Sequence, residues 1–272
     1  MNRTARALSI ASSDSGGGAG IQADLRAFAA AGCHGSTVLV ALTAQNTREV
    51  TAIHAVPPEF ILAQVEAVFD DIGVDAVKTG MLLSAEIIET VADALAGRRL
   101  PLVVDPVMVA SSGARLLRPD AVEVMVRRLF PLATVVTPNV PEAEALTGVT
   151  ASRRELAERL HDMGAAAVIV TGGHGDTAVD HLFDGTDHVE IPVPRHDIAT
   201  THGAGCTHSA TVTALLAQGW SLVAAAAAAA EVTSAAVAAG LTDIGAGDGP
   251  VDVLGVRGRA RAAPVLTGGR SA

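Results

Sequence analysis

Three short segments carry residue types that could do chemistry together. In Gly203-Ala204-Gly205-Cys206, preceded by Thr200-Thr201-His202, a thiol stands at the opening of an apolar helical run, Thr207–Ala217. Consecutive small residues before a helix make a nest of N–H donors for an anion. A thiol at that helix end is expected to have a lowered pKa and to act as a base. Donors for phosphate charge, together with a group that takes a hydroxyl proton, are what phosphoryl transfer requires. A single GxGC fits slightly better, on its own, a Cys that only packs beneath a Gly-rich helix start.

The second segment is Ser12-Ser13-Asp14-Ser15-Gly16-Gly17-Gly18-Ala19-Gly20. Its glycines allow backbone to approach a ligand at a helix N-terminus. The GxGxxG spacing of a dinucleotide-binding turn fails, and Thr43-Ala44-Gln45-Asn46 at the end of the next strand offers no acid for a ribose. A ligand loop and a tight strand-to-helix turn fit this segment about equally. Asp24 follows one turn into the helix, where a solvated carboxylate is expected.

The third segment is Thr137-Pro138-Asn139-Val140-Pro141-Glu142-Ala143-Glu144. Asn139 and Glu142 could reach one Mg²⁺, directly or through water, because Mg²⁺ prefers oxygen ligands. The same pair also reads as a capping box by analogy. Asp105-Pro106-Val107-Met108 ends another buried run and adds a carboxylate near the same rim. None of the nine His forms an HExxH spacing. His202 and His208 flank Cys206 and raise a Cys–His hydrolase reading. Neither is placed by sequence to pair with the thiol, and no signature of that chemistry is present.

These segments need elements to hold them. Ala7–Ala11, Ser36–Leu42, Ala76–Thr79, Leu102–Val104, Thr134–Val136 and Ala167–Val170 read as buried strands. Between them, Ile21–Ala31, Pro58–Ile72, Ala85–Ala96, Asp120–Leu129 and Arg153–Met163 have amphipathic helical spacing. This alternation predicts an α/β fold, a mainly parallel sheet with helices on both faces. Ala178–Phe183 and His188–Val193 read as a late hairpin. Ligands of such a sheet bind beyond the carboxyl ends of its strands, where the three segments fall. Residues 1–256 are expected to form a single domain, and 257–272, rich in Arg, Gly and Ala, a flexible tail.

Composition excludes several classes. With 49% hydrophobic and 18% charged residues, 272 residues suit a well-packed enzyme rather than a disordered chain. Aromatics are only 2%, so Ala, Val, Leu and Ile must build the core. A net charge of −10 without a basic run disfavours nucleic-acid binding. Two cysteines make no disulfide framework and point to a reducing compartment, so a cytoplasmic location is expected. The uncharged stretch Thr207–Ala230 is interrupted at Gln218-Gly219-Trp220-Ser221, which favours two packed helices over a membrane span.

Taken together, the motifs resemble the hydroxymethylpyrimidine/phosphomethylpyrimidine kinases of thiamin biosynthesis. The resemblance rests on Ser13–Asp24, Ala41-Leu42-Thr43-Ala44-Gln45-Asn46-Thr47, Val77-Lys78-Thr79-Gly80-Met81-Leu82 and Asp105-Pro106-Val107-Met108. It rests equally on Thr137-Pro138-Asn139, Glu142-Ala143-Glu144, Gly172-Gly173-His174, Thr201–Thr207 and Gly249-Pro250-Val251. In order, they run from about Leu8 to Val251. The resemblance implies a ribokinase-like sheet, Mg·ATP as donor, and phosphorylation of 4-amino-5-hydroxymethyl-2-methylpyrimidine and then of its monophosphate. It implies Cys206 as base, Gln45 as the hydrogen-bonding partner of the aminopyrimidine, and Ala19, Asp24, Met81 and Val107 as pocket positions. Asn139, Gly203 and Gly205 would bind nucleotide phosphate, Asp105 and Glu142 the Mg²⁺, and the chain would form a homo-oligomer, by resemblance a dimer.

Some positions depart from that pattern. Ser12 stands for Gly, Ser111 for Lys, Ala114 for an acid and Thr200 for Asn. Thr171 stands where the family carries a phosphate-binding Lys, and Lys78 is the only Lys in the chain. Weak affinity for ATP is therefore expected. A pyridoxal-type kinase is the nearest alternative, and Gln45 and Met81 favour the pyrimidine. A pyrimidine-binding protein with weak catalysis is a second, against which Cys206, Asn139 and Glu142 argue.

Overall fold

A computed structural model describes residues 3–109, 113, 116–172, 178–194, 196 and 200–262. Ser111, Ala114, Gly173, His174 and the terminal segment 263–272 lie outside the described residues. Among the described residues, nine strands form one sheet in the order β3-β2-β1-β4-β5-β6-β7-β8-β9. They are β1 (Arg6–Asp14), β2 (His34–Gln45), β3 (Val50–Ala55), β4 (Ala76–Thr79), β5 (Leu102–Val104), β6 (Val135–Val136), β7 (Val168–Val170), β8 (Val179–Phe183) and β9 (His188–Pro192). From β2 through β7 neighbouring strands pair parallel, while β3 at one edge and the β8–β9 hairpin at the other pair antiparallel. The sheet is mixed at its edges and parallel where the cavity lies.

Side chains of a strand alternate between faces, so each central strand feeds two cores. Leu8 and Ile10 of β1 pack with Ile61, Val65 and Ile88 on one face. Ala7, between them in phase, packs with Ala27, Phe28, Ala210 and Ala214 on the other. Val104 and Val136 join the first face, and Val103 and Val135 meet Ala225, Ala226 and Ala229 on the second. With few aromatics available, small residues at these contacts let helices approach closely.

One face carries α1 (Gly20–Ala30), α7 (Ala204–Ala217) and α8 (Leu222–Ala238), packed on one another and on the strands. The other carries α2 (Pro58–Ala67), α3 (Ala85–Leu95), α4 (Pro119–Arg128), α5 (Val140–Thr147) and α6 (Arg153–Asp162). Helix α2 continues as one wide turn, Val68–Ile72, which completes the predicted span Pro58–Ile72. α7 begins at Ala204, three residues before the expected start, so Cys206 sits inside its first turn. The break before α8 falls where predicted, with Ser221 accepting from the Ala224 amide as N-cap. No helix among the described residues is long and apolar enough to cross a membrane. A short helix, α9 (Val256–Ala262), occupies the start of the segment expected to be a flexible tail.

Strand β3 is absent from the expected elements. Its residues are exposed except for a half-buried Val50, so it carries no alternating burial signal. Its backbone pairing to β2 defines it.

Candidate active site

The parallel strands β1, β2, β4, β5, β6 and β7 all end at one cavity of about 1000 Å³. Its wall takes residues from the carboxyl end of each strand and from the first turns of α1, α5 and α7. This is the expected place for a ligand in an open parallel sheet.

At the β1–β2 end, Asp14 holds the Gly-rich loop. Its carboxylate accepts from the amides of Gly16 at 2.8 Å, Gly18 at 3.0 Å and Ala19 at 2.8 Å. His202 Nε2 lies 3.0 Å from the same carboxylate, joining this loop to the turn before α7. Burial pushes the Asp14 carboxyl up, yet His202 and the loop amides together hold it below the usual carboxylate value. The two turns touch: a side chain at Gly203, whose φ is +83°, would strike the Gly18 carbonyl, and one at Gly18 would strike the His202 ring.

Gln45 is fixed beside this loop. Its backbone N–H donates to Ser15 Oγ at 2.8 Å, and the Ser15 hydroxyl donates to the Gln45 carbonyl at 2.7 Å. Thr43 Oγ1 donates to Gln45 Oε1 at 3.0 Å, which orients the side-chain amide. Ala19, Gln45, Met81 and Val107 all line this half of the cavity.

Asp24 does not. The sequence suggested a solvated or substrate-facing carboxylate, but Asp24 is fully buried and is absent from the cavity wall. Lys78 Nζ donates to its Oδ1 at 2.7 Å and Ser9 Oγ to its Oδ2 at 2.5 Å. A buried carboxylate requires such partners, so Asp24 serves the layer beneath the pocket. Lys78, also fully buried, lies 3.4 Å from Asp105 Oδ2, which in turn accepts from Ser209 Oγ at 2.8 Å. The Ser209 hydroxyl also lies 2.9 Å from the carbonyl of Gly205. One chain of hydrogen bonds and ion pairs thus runs Ser9–Asp24–Lys78–Asp105–Ser209 to α7. The two carboxylates raise the Lys78 pKa against the opposing effect of burial, so it stays protonated.

Cys206 lines the middle of the cavity, with the turn Gly203–Gly205 before it. The expectation of a thiol acidified by its helix end fails. Burial pushes the thiol up to about 12, and Lys78 and the Gly20 amide only partly oppose this. The Lys78 charge is already matched by Asp24 and Asp105, which raise the thiol further.

On the far side, Asn139 caps α5. Its side chain accepts from the Glu142 amide at 2.8 Å, and Glu142 Oε2 accepts from the Asn139 amide at 3.0 Å. The capping box read from the sequence is therefore present, with both residues on the cavity wall. Burial and then Asp105 push the Glu142 carboxyl up to about 8. Two such carboxylates attract a cation. Among the described residues, no group of three or more His, Cys, Asp or Glu could hold a metal by itself. Thr171 and Gly172 lie on the wall beside Asn139, joined by the backbone bridge Asn139–Thr171.

Sequence reasoning brought Ala19, Gln45, Met81, Asp105, Val107, Asn139, Glu142, Gly203, Gly205 and Cys206 to the site, and the cavity contains all of them. It missed the parts played by Asp14, Lys78, Asp180 and His208. A charged residue inside the buried run Ala76–Thr79 was the available signal for Lys78. Asp180 and His208 carried none, because their contact crosses from β8 to α7.

Residues 14–252 match the family model described as phosphomethylpyrimidine kinase. The hydroxymethylpyrimidine/phosphomethylpyrimidine kinase of Rhizobium meliloti is 50% identical over 256 residues, 91% of this chain and 96% of that protein. The thiamine biosynthesis bifunctional protein ThiED of Geobacter sulfurreducens is 52% identical over 253 residues. That match covers 90% of this chain but 51% of the bifunctional protein. Among solved structures, an ADP complex of Bacillus subtilis pyridoxal kinase superposes with a TM-score of 0.85 at 38% identity, covering 94% of this chain and 99% of that one.

Proposed function

This chain belongs to the phosphomethylpyrimidine kinase family, and we propose that it transfers phosphate from ATP to hydroxymethylpyrimidine and then to its monophosphate. The observation that carries this reading is the position of Cys206. It stands between a half-cavity built to orient a flat polar ring and a half-cavity built around the α5 and α7 N-termini.

In this reading Gln45 reads the ring through its amide, which offers both a donor and an acceptor. Met81, Val107 and the backbone at Ala19 enclose the ring. Cys206 takes the proton of the attacking hydroxyl, and the amides of Gly203–Gly205 receive the charge that develops on the transferring phosphoryl group. Proximity lowers the barrier by holding acceptor and donor in one cavity. Only the thiolate can accept that proton, so with burial pushing Cys206 up to about 12 the reactive form is the fraction already deprotonated, which becomes the thiol as the hydroxyl is phosphorylated.

Asp105 and Glu142 fit an Mg²⁺ that arrives with ATP. They offer anionic oxygen, no third His, Cys, Asp or Glu among the described residues completes a site with them, and Glu142 at about 8 gains most from a neighbouring cation. Such an ion neutralises phosphate charge when bound. Asn139 keeps Glu142 in place through the capping box.

Pyridoxal is the second reading, favoured by the likeness to the Bacillus subtilis pyridoxal kinase. Incubating the protein with Mg·ATP and hydroxymethylpyrimidine, with mass-spectrometric detection, tests the first. Sequential gain of one and then two phosphoryl groups is expected. No phosphorylated pyrimidine at saturating substrate would overturn it.

A further inference from the structure

The nucleotide half of the cavity contains a basic side chain that none of the steps above uses. His208 lies on α7 two residues beyond Cys206, is 4% exposed, and lines the cavity. Its Nε2 is 3.3 Å from Asp180 Oδ2, off the direction of a hydrogen bond. Its Nδ1 has no partner among the described residues. Asp180 on β8 is itself 4% exposed and is fixed by accepting from the Gly172 amide at 2.6 Å. A buried ring nitrogen without a partner calls for an explanation, and a bound ligand supplies one.

Charge narrows the choice of ligand. Asp14, Asp105, Glu142, Asp180 and Asp248 line the cavity, and no arginine does among the described residues. Lys78 is held by Asp24 and Asp105, His202 is engaged by Asp14, and the His196 ring pairs with Ser234 Oγ at 2.8 Å. The amides at the start of α7 nevertheless favour an anion at this place. Among the described residues, His208 is the basic group left to meet it.

We propose that His208, held by Asp180, donates a hydrogen bond from Nδ1–H to a phosphate group of the nucleotide. The proposal deepens the kinase reading and rests on it. Asp180 Oδ2, 3.3 Å from Nε2, flanks the ring on that side, and Nδ1–H is left to donate to an anionic phosphate oxygen. The pair joins β8 and the Gly172 turn to α7, and it places a hydrogen-bond donor among the carboxylates that line this cavity.

Calorimetric titration of ADP and of adenosine into wild type, His208→Gln and His208→Leu tests this. His208→Leu is expected to weaken ADP by about tenfold or more, as for loss of a hydrogen bond to a charged group. Adenosine, which lacks the phosphates, should change by less than about twofold, and His208→Gln should lie between for ADP. In steady state the KM for ATP should rise while the KM for the pyrimidine holds. Equal losses for ADP and adenosine, or an unchanged ADP affinity, would overturn the proposal. Should both His208 variants fail to fold, Asp180→Asn keeps the ring and is expected to weaken ADP but not adenosine; equal effects there would overturn it as well. A wild-type protein that binds ADP through His208 yet phosphorylates no pyrimidine would sink the substrate assignment alone.

Discussion

The two halves of the cavity differ in how far their polar groups are satisfied. On the pyrimidine side Asp14 engages three loop amides and His202, Gln45 is pinned by Ser15 and Thr43, and Lys78 is shared by two carboxylates. No buried polar side-chain atom lining that half lacks a partner among the described residues. On the nucleotide side Thr137 Oγ1, Thr233 Oγ1 and His208 Nδ1 line the same cavity with no partner among the described residues. A satisfied network is rigid and pre-formed, whereas an unsatisfied one gains its partners from what binds. The acceptor half is thus preorganised for its ring, and the donor half is completed by the nucleotide.

The hardest test of that contrast is Lys78→Met. It would leave Asp24 and Asp105 buried without their cation, and loss of one partner of a buried ion pair costs about 3–5 kcal/mol. Denaturant unfolding should show a loss of that size. A loss below about 1 kcal/mol, the scale of a surface pair, would mean that the network beneath the pyrimidine half is not what holds it.

Much of this frame was legible in the sequence because its signals are local. The central strands alternate with helices whose burial has a fixed period, and the capping box of α5 spans four residues. The misreadings share one cause, contact across long separations. Asp24 lies on the buried face of α1 with Ile21 and Phe28, so its spacing already marked it as internal. Its reason for being there is Lys78, 54 residues away. The Cys206 thiol was read from its helix end, but burial and the carboxylates of β5 and α1 outweigh that local effect.

The next largest effect is expected at Cys206. Cys206→Ala should lower kcat by roughly 10²-fold or more, the scale of a lost general base, while the pyrimidine still binds. Because burial raises the thiol to about 12, deprotonation becomes easier as pH rises, and the wild-type kcat should increase across pH 7–9. Cys206→Ala should lose that increase. A kcat already level below pH 8 in wild type would contradict a base so strongly raised.

Gln45→Leu sharpens the comparison from the substrate side. Removing an oriented amide should weaken the pyrimidine by about 1–3 kcal/mol and leave ADP affinity unchanged. Titration of both ligands checks it, and an unchanged pyrimidine Kd would remove Gln45 from recognition. The smallest effect is a gain. Thr171 lines the donor half, its hydroxyl only 3.5 Å from the Pro138 carbonyl, so Thr171→Lys would add a cation there. kcat/KM for ATP should rise by about tenfold if about 1.4 kcal/mol of transition-state stabilisation is recovered. No rise in a folded variant would mean that the donor half already has its cation.

The most direct test is kcat/KM for hydroxymethylpyrimidine and for pyridoxal, measured side by side at saturating Mg·ATP. A pocket preorganised around Gln45 for an aminopyrimidine should prefer the pyrimidine by about 10²-fold or more, since an unpaired buried polar group penalises the wrong ring. Equal values, or a preference for pyridoxal, would contradict the account.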